Sequence, residues 1–172
     1  MSHTTLNAFG ALSLAVADRM QEAMASVAGH GASGPAALVA LDGLAGGASI
    51  DALRRLLGIT HSGAVRLVDR LAAAGLVERR VGADARAVAI HLTPQGRRTA
   101  RRVRAAREAA LEQVLSPLSP AQREQLKSLL GTMAQGLEPT PETARRLCRL
   151  CDVERCGHSR GTCPVSNARL ER

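Results

Sequence analysis

Along residues 4–28 the apolar positions Leu6, Phe9, Leu12, Leu14, Val16, Met20, Met24 and Val27 recur mostly at three- and four-residue intervals. That spacing lines up side chains on one face of a helix, so a long first helix is predicted here. Thr4 or Thr5 can cap it, and Gly29-His30-Gly31 breaks it. Ser33 is expected to cap a second helix, about 35–45, with Pro35 in its first turn and Gly46-Gly47 at its end. Ser49 is placed to cap a third helix, Ile50–Leu57, which Gly58 closes. Thr60 is placed to cap a fourth, which reaches about Ala74 and stops at Gly75. Leu53, Leu56, Leu57 and Ile59 are the inward residues on one side of this tight turn. Ala64, Val65, Val68, Leu71 and Ala72 are those on the other.

The period changes after Gly75. Leu76–Val81 and Arg86–Leu92 read as short strands around the turn Gly82-Ala83-Asp84-Ala85, which makes a β-hairpin. Thr93-Pro94 opens a fifth helix running to about Leu115, and Pro117 and Pro120 separate it from a sixth, about 120–136. That sixth helix begins with a capping-box pattern, Ser119-Pro120-Ala121-Gln122. Two prolines after Glu138 lead into a short helix, about 141–149. The expected fold is mainly α with a small β-hairpin wing. A winged helix-turn-helix lobe (about 33–93) lies between long helices (about 4–28 and 94–136). Residues 1–137 form one domain, and 138–172 form a tail.

Charge sharpens this picture. The 172-residue chain carries a formal +8, and residues 48–110 alone hold thirteen Arg against five acids. Residues 1–47 hold one Arg, Arg19, against Asp18, Glu22 and Asp42. The positive excess thus sits on the helix-turn-helix, the hairpin and the helix after it, where a polyanion such as double-stranded DNA would bind. The fourth helix presents Thr60, His61, Ser62, Gly63, Arg66, Asp69 and Arg70 on its outer face. Small hydrogen-bonding residues at the leading end permit entry into a major groove, and Arg66 can reach a guanine edge or a phosphate. Arg79, Arg80 and Arg86 decorate the hairpin, where arginine suits the narrow minor groove, and Asp84 can orient Arg86. Arg97, Arg98, Arg101, Arg102, Arg104 and Arg107 give the fifth helix phosphate-binding potential.

No apolar run is long enough to span a bilayer, and no basic segment precedes the apolar N-terminal stretch as in a signal peptide. A cytoplasmic protein is expected. The sequence holds no Ser-His-Asp arrangement, P-loop or paired-carboxylate cleft, and His61 and His91 are isolated. Enzymatic activity is not expected.

The run GAVRLVDRLAAAGLVERRVGADARAVAIHLTPQGRR resembles the signature of MarR-type winged-helix transcriptional regulators. Its parts are Leu67–Leu71, Gly75–Arg79, the wing element Asp84–Arg86, and Leu92-Thr93 with Gly96-Arg97. The resemblance implies a homodimer built from the first helix and the last two, with two lobes on a pseudo-palindromic operator. It further implies repression by promoter occupancy and a pocket for a small-molecule effector. Arg86 would be the wing-tip residue with Asp84 its partner, and Thr60, His61, Ser62 and Arg66 would face the major groove.

All four cysteines fall in the tail, as Cys148, Cys151, Cys156 and Cys163, with the spacing C-x2-C-x4-C-x6-C. Two thiolates three residues apart can share one metal ion, and the other two return on a loop that contains Gly157 and Gly161. A four-thiolate set matches structural zinc. An iron–sulfur cluster is the alternative, since Cys163-Pro164 echoes a ferredoxin ending, and a thiol–disulfide switch without metal is another. His158 could replace one thiolate. The expected function is a dimeric, sequence-specific DNA-binding regulator with a zinc-holding tail. The alternatives are a redox- or metal-responsive regulator and a non-specific architectural DNA-binding protein.

Overall fold

The computed structural model describes residues 2–43, 47–81, 88–137, 140–152 and 155–163. In chain order the elements are α1 (His3–Ala28), α2 (Ser33–Gly43), α3 (Ile50–Leu57), α4 (His61–Ala73), β1 (Val77–Val81), β2 (Val88–Leu92), α5 (Pro94–Leu115), α6 (Pro120–Gly136) and α7 (Pro141–Leu147). A single 3-10 turn, His158–Arg160, follows.

Local chemistry fixes the helix starts. The Ser49 hydroxyl accepts from the Ala52 N–H (3.1 Å), Thr60 from Gly63 (3.1 Å) and Thr93 from Gly96 (3.0 Å). Each satisfies one of the amide donors that a helix start leaves unpaired. Ser119 and Gln122 form a reciprocal capping box at α6. In α3, Asp51 lies in the first turn and Arg54 and Arg55 in the last, in the order that the helix dipole favours. The Arg54 hydrogen bond holds the Asp51 carboxyl below the usual carboxylate range. Ser33 differs from the expectation: it lies within the first turn of α2 and does not cap it.

The hairpin is antiparallel, with Val77 opposite Leu92 and Val81 opposite Val88. Ala48 adds a bridge to Ile90, whose N–H donates to the Ala48 carbonyl (2.8 Å), and this ties the lead-in to α3 onto the wing. Every residue of α2 from Gly34 to Leu41 is buried, so this Ala-rich helix is the centre of the lobe. Around it Leu38, Leu53, Leu67, Val68, Leu71, Ile90 and Val103 are almost fully enclosed, and α1 lies along α5.

Leu67 was not among the residues expected inward, yet it is 1% exposed, while Val65 is only half-buried. Positions 64, 67, 68 and 71 make the true inner stripe of α4. Truncating Leu67 to Ala removes packed methyls from a closed core. A loss of about 2–5 kcal/mol is expected, measurable by urea unfolding.

α6 buries none of its residues; Leu129, Leu130 and Met133 are exposed on it, and Leu137 at its C-cap. Leu6, Phe9, Leu12 and Leu14 are likewise exposed on α1.

Candidate nucleic-acid interface and thiol cluster

α3 packs against α4, and the elbow between them turns at Gly58, whose φ of 66° is in the left-handed region. This orientation buries Ala64, Leu67, Val68 and Leu71 and leaves the opposite face of α4 outward. Thr60, His61, Ser62, Arg66 and Arg70 are all exposed there, and Gly63 is half-buried. The structure thus brings these six sequence-chosen residues onto or beside one surface. Thr60 has a second task, because its hydroxyl caps α4 and sits 3.3 Å from the Ser62 hydroxyl.

Two hairpin arginines are already engaged. Arg79 donates to Asp69 at 2.5 Å, linking β1 to α4, and Arg80 pairs with Glu78 at 2.5 Å. Arg66 and Arg70 take part in no ion pair among the described residues, so their charge faces outward uncompensated. Sequence reasoning placed Asp69 on the DNA face but missed its bond to Arg79. Alternate positions on a strand and a helix ten residues away give no local signal of such a contact. Asp84 and Arg86 lie outside the described residues.

On α5, Arg97 donates to the Leu92 carbonyl (2.9 Å) and Arg104 pairs with Asp42, so both have structural partners within the lobe. Arg98, Arg101 and Arg102 are exposed. Arg107 is half-buried, and its Nε is enclosed without a hydrogen-bond partner.

The thiols lie within reach of one another's charge, and Cys151 faces that arginine. Cys148 and Cys151 share a hydrogen bond, as do Cys156 and Cys163, and Cys148 also senses the charge of Cys156 and Cys163. The Cys148 hydrogen bond, aided by the Arg107 guanidinium, holds Cys151 down to about 6. The same bond, together with burial, pushes the Cys148 thiol up, and burial raises Cys156. Cys163 is buried and the other three are half-buried. Among the described residues, no three Cys, His, Asp or Glu side chains converge as a ready metal-binding set, and the thiols stand as two pairs. A four-thiolate metal site still suits one feature of these surroundings. The orphaned Arg107 Nε is a buried donor beside Cys151, where a thiolate can accept.

A paired α3–α4 elbow, an outward cationic helix and a basic hairpin beside it define a winged helix-turn-helix of the DNA-binding class. Residues 36–87 match the MarR family model. The chain carries a MarR-family domain, and its fold is that of MarR-type transcriptional regulators.

The likeness extends well beyond the matched segment. A crystal structure of RV1404 from Mycobacterium tuberculosis is similar at TM-score 0.68 and 25% identity, covering 78% of this chain and 94% of that one. The YusO protein from Bacillus subtilis is similar at TM-score 0.64 and 23% identity, covering 78% and 99%. MepR, a transcription regulator of the Staphylococcus aureus multidrug efflux pump MepA, is similar at TM-score 0.65 and 20% identity, covering 80% and 99%. No curated protein matches the chain by sequence. No described helix is long and apolar enough to cross a membrane.

Proposed function

We propose that this protein is a homodimeric, sequence-specific transcriptional repressor that occupies a pseudo-palindromic operator. The observation that carries this reading is the outward face of α4, where Arg66 and Arg70 stand unpaired beside Thr60, His61 and Ser62. Helix N-terminal residues of this kind meet base edges, and flanking arginines meet bases or phosphates. The exposed apolar residues of α1 and α6 supply the surface for a second copy. CouR from Rhodococcus jostii, similar at TM-score 0.54 and 23% identity, was crystallised bound to p-coumaroyl-CoA. By analogy, a small-molecule effector is proposed here too. A cavity of about 340 Å³ between α1 and the start of α2, lined by Asp18, Glu22, Met24 and Pro35, has the size for one.

The test is selection of duplexes from a random pool, followed by fluorescence anisotropy across a salt series with competitor DNA. A palindromic consensus and a steep salt slope are expected. Arg66→Ala is expected to cost about 1–3 kcal/mol on the selected duplex. Arg86→Ala is the companion variant for the wing. Equal affinity for unrelated duplexes would instead identify a non-specific architectural protein.

The tail is proposed to hold structural zinc through Cys148, Cys151, Cys156 and Cys163. When bound, the ion would tie the two thiol pairs together and keep all four deprotonated. Zinc and iron analysis of anaerobically purified protein checks this. About one zinc per chain is expected, and a brown iron-containing protein would indicate an iron–sulfur sensor instead.

A further inference from the structure

The tail does not hang free of the DNA-reading lobe. α7 packs on α3, and Ala144 of α7 is buried. The Arg146 guanidinium lies over Gly58, close enough that a Cβ at position 58 would come within 2.8 Å of its Cζ. Its positive charge thereby meets the C-terminal end of α3, where carbonyls are left over and the helix dipole is negative. Cys148 caps α7 through N–H bonds to the Ala144 and Arg146 carbonyls, and the Cys151 N–H closes the next turn onto the Cys148 carbonyl (2.9 Å). Leu150, between the two cysteines, packs against the core and lines a cavity shared with Met20, Met24 and Leu57.

The far end of the tail reaches a different helix. Arg155 donates to both Glu108 oxygens on α5, at 3.0 and 3.1 Å. The thiol-bearing turn therefore bridges the helix-turn-helix elbow on one side and a long flanking helix on the other. Both elements share the core that seats α4, so the tail's hold on them bears on how firmly the recognition helix is held.

We propose that the tail is a clamp on the helix-turn-helix elbow, seated by Arg146 and Leu150, and that the state of the thiol cluster sets how firmly it holds. The occupant of the thiols, zinc included, is thereby a regulatory input to DNA affinity and not only a brace. The DNA-affinity part rests on the DNA-binding reading above, whereas the clamp itself does not. Gly58 is constrained by its φ of 66°, and a Cβ there would push the Arg146 guanidinium off its seat.

The experiment compares full-length wild type, Cys148→Ser/Cys151→Ser and Arg146→Ala by amide hydrogen exchange without DNA. Anisotropy on the selected duplex follows. Exchange across residues 50–63 is expected to rise on the order of tenfold in both variants, with far-UV circular dichroism unchanged. A triple variant is expected to rise no further than either, because both changes release one contact. DNA affinity is expected to shift in the same direction for all three. Should the double thiol variant fail to fold, Cys156→Ser provides the thiol arm. Exchange within twofold of wild type in either arm overturns the clamp, whatever the DNA assay shows. A faster-exchanging elbow with unchanged DNA affinity overturns the regulatory role alone. Failure of wild type to select any duplex counts against the DNA-binding reading and leaves the exchange result standing.

Discussion

Gly96→Ala is expected to be the most damaging Gly→Ala change among the described glycines. Gly96 lies in the first turn of α5 against the link between α4 and β1, and a Cβ there would lie 1.9 Å from the Leu76 carbonyl oxygen and 2.9 Å from its carbon. The obstacle is backbone, so it cannot swing away as a side chain would. That carbonyl is also anchored, because it accepts the Thr93 N–H at 3.1 Å, and the Thr93 hydroxyl caps α5. Relief would require moving α5 off the sheet, which opens the core around Ile90 and Val103. A cost of about 3 kcal/mol or more follows from overpacking against fixed backbone. In a chain of this size that lowers Tm by roughly 6–12 °C. Gly136→Ala is the control: nothing lies within 4 Å of its Cβ position, and its melting temperature is expected to stay within a degree or two of wild type. Equal melting for Gly96→Ala would mean that α5 has more freedom against the hairpin than this contact allows.

The parts of the fold that were legible in the sequence are those with local causes. Ser49, Thr60, Thr93 and Ser119 announce helix starts because a cap bonds only two or three residues ahead, and each sits where expected. The strand pair follows from a period of two around a turn. What escaped are contacts between positions far apart in sequence. Nothing near Ala48 signals its bridge to Ile90, and nothing near Asp69 names Arg79 as its partner. Gly58 reads as a turn glycine. That it also makes room for Arg146 depends on where α7 docks, which no spacing rule carries. The cysteine spacing leads to the expectation of one four-thiolate set, whereas the pairing of Cys148 with Cys151, and of Cys151 with Arg107, depends on the path of the tail over α5.

The second large effect is expected at α6. Leu126, Leu129, Leu130, Met133 and Leu137 recur at helical spacing and form one apolar stripe, yet α6 buries none of its residues within the chain. A helix with such a stripe owes its stability to packing on a partner, and its own propensity is a minor contribution. The exposed Leu6, Phe9 and Leu12 of α1 form a second apolar surface without cover. In a two-fold dimer each substitution occurs twice, so Leu130→Glu/Met133→Glu places four carboxylates against apolar surface. Burying them unpaired costs several kcal/mol, well beyond what a typical dimer interface tolerates. Light scattering at micromolar concentration is expected to show a monomer. Operator affinity should then fall by about 10²–10⁴, because two linked lobes no longer bind as one. The α4 face is untouched, so the monomer keeps its preference for the half-site over random duplex. If the variant remains dimeric with full operator affinity, the second copy docks elsewhere and the α6 stripe serves another purpose. If it becomes monomeric with operator affinity intact, the two recognition helices do not read the operator together.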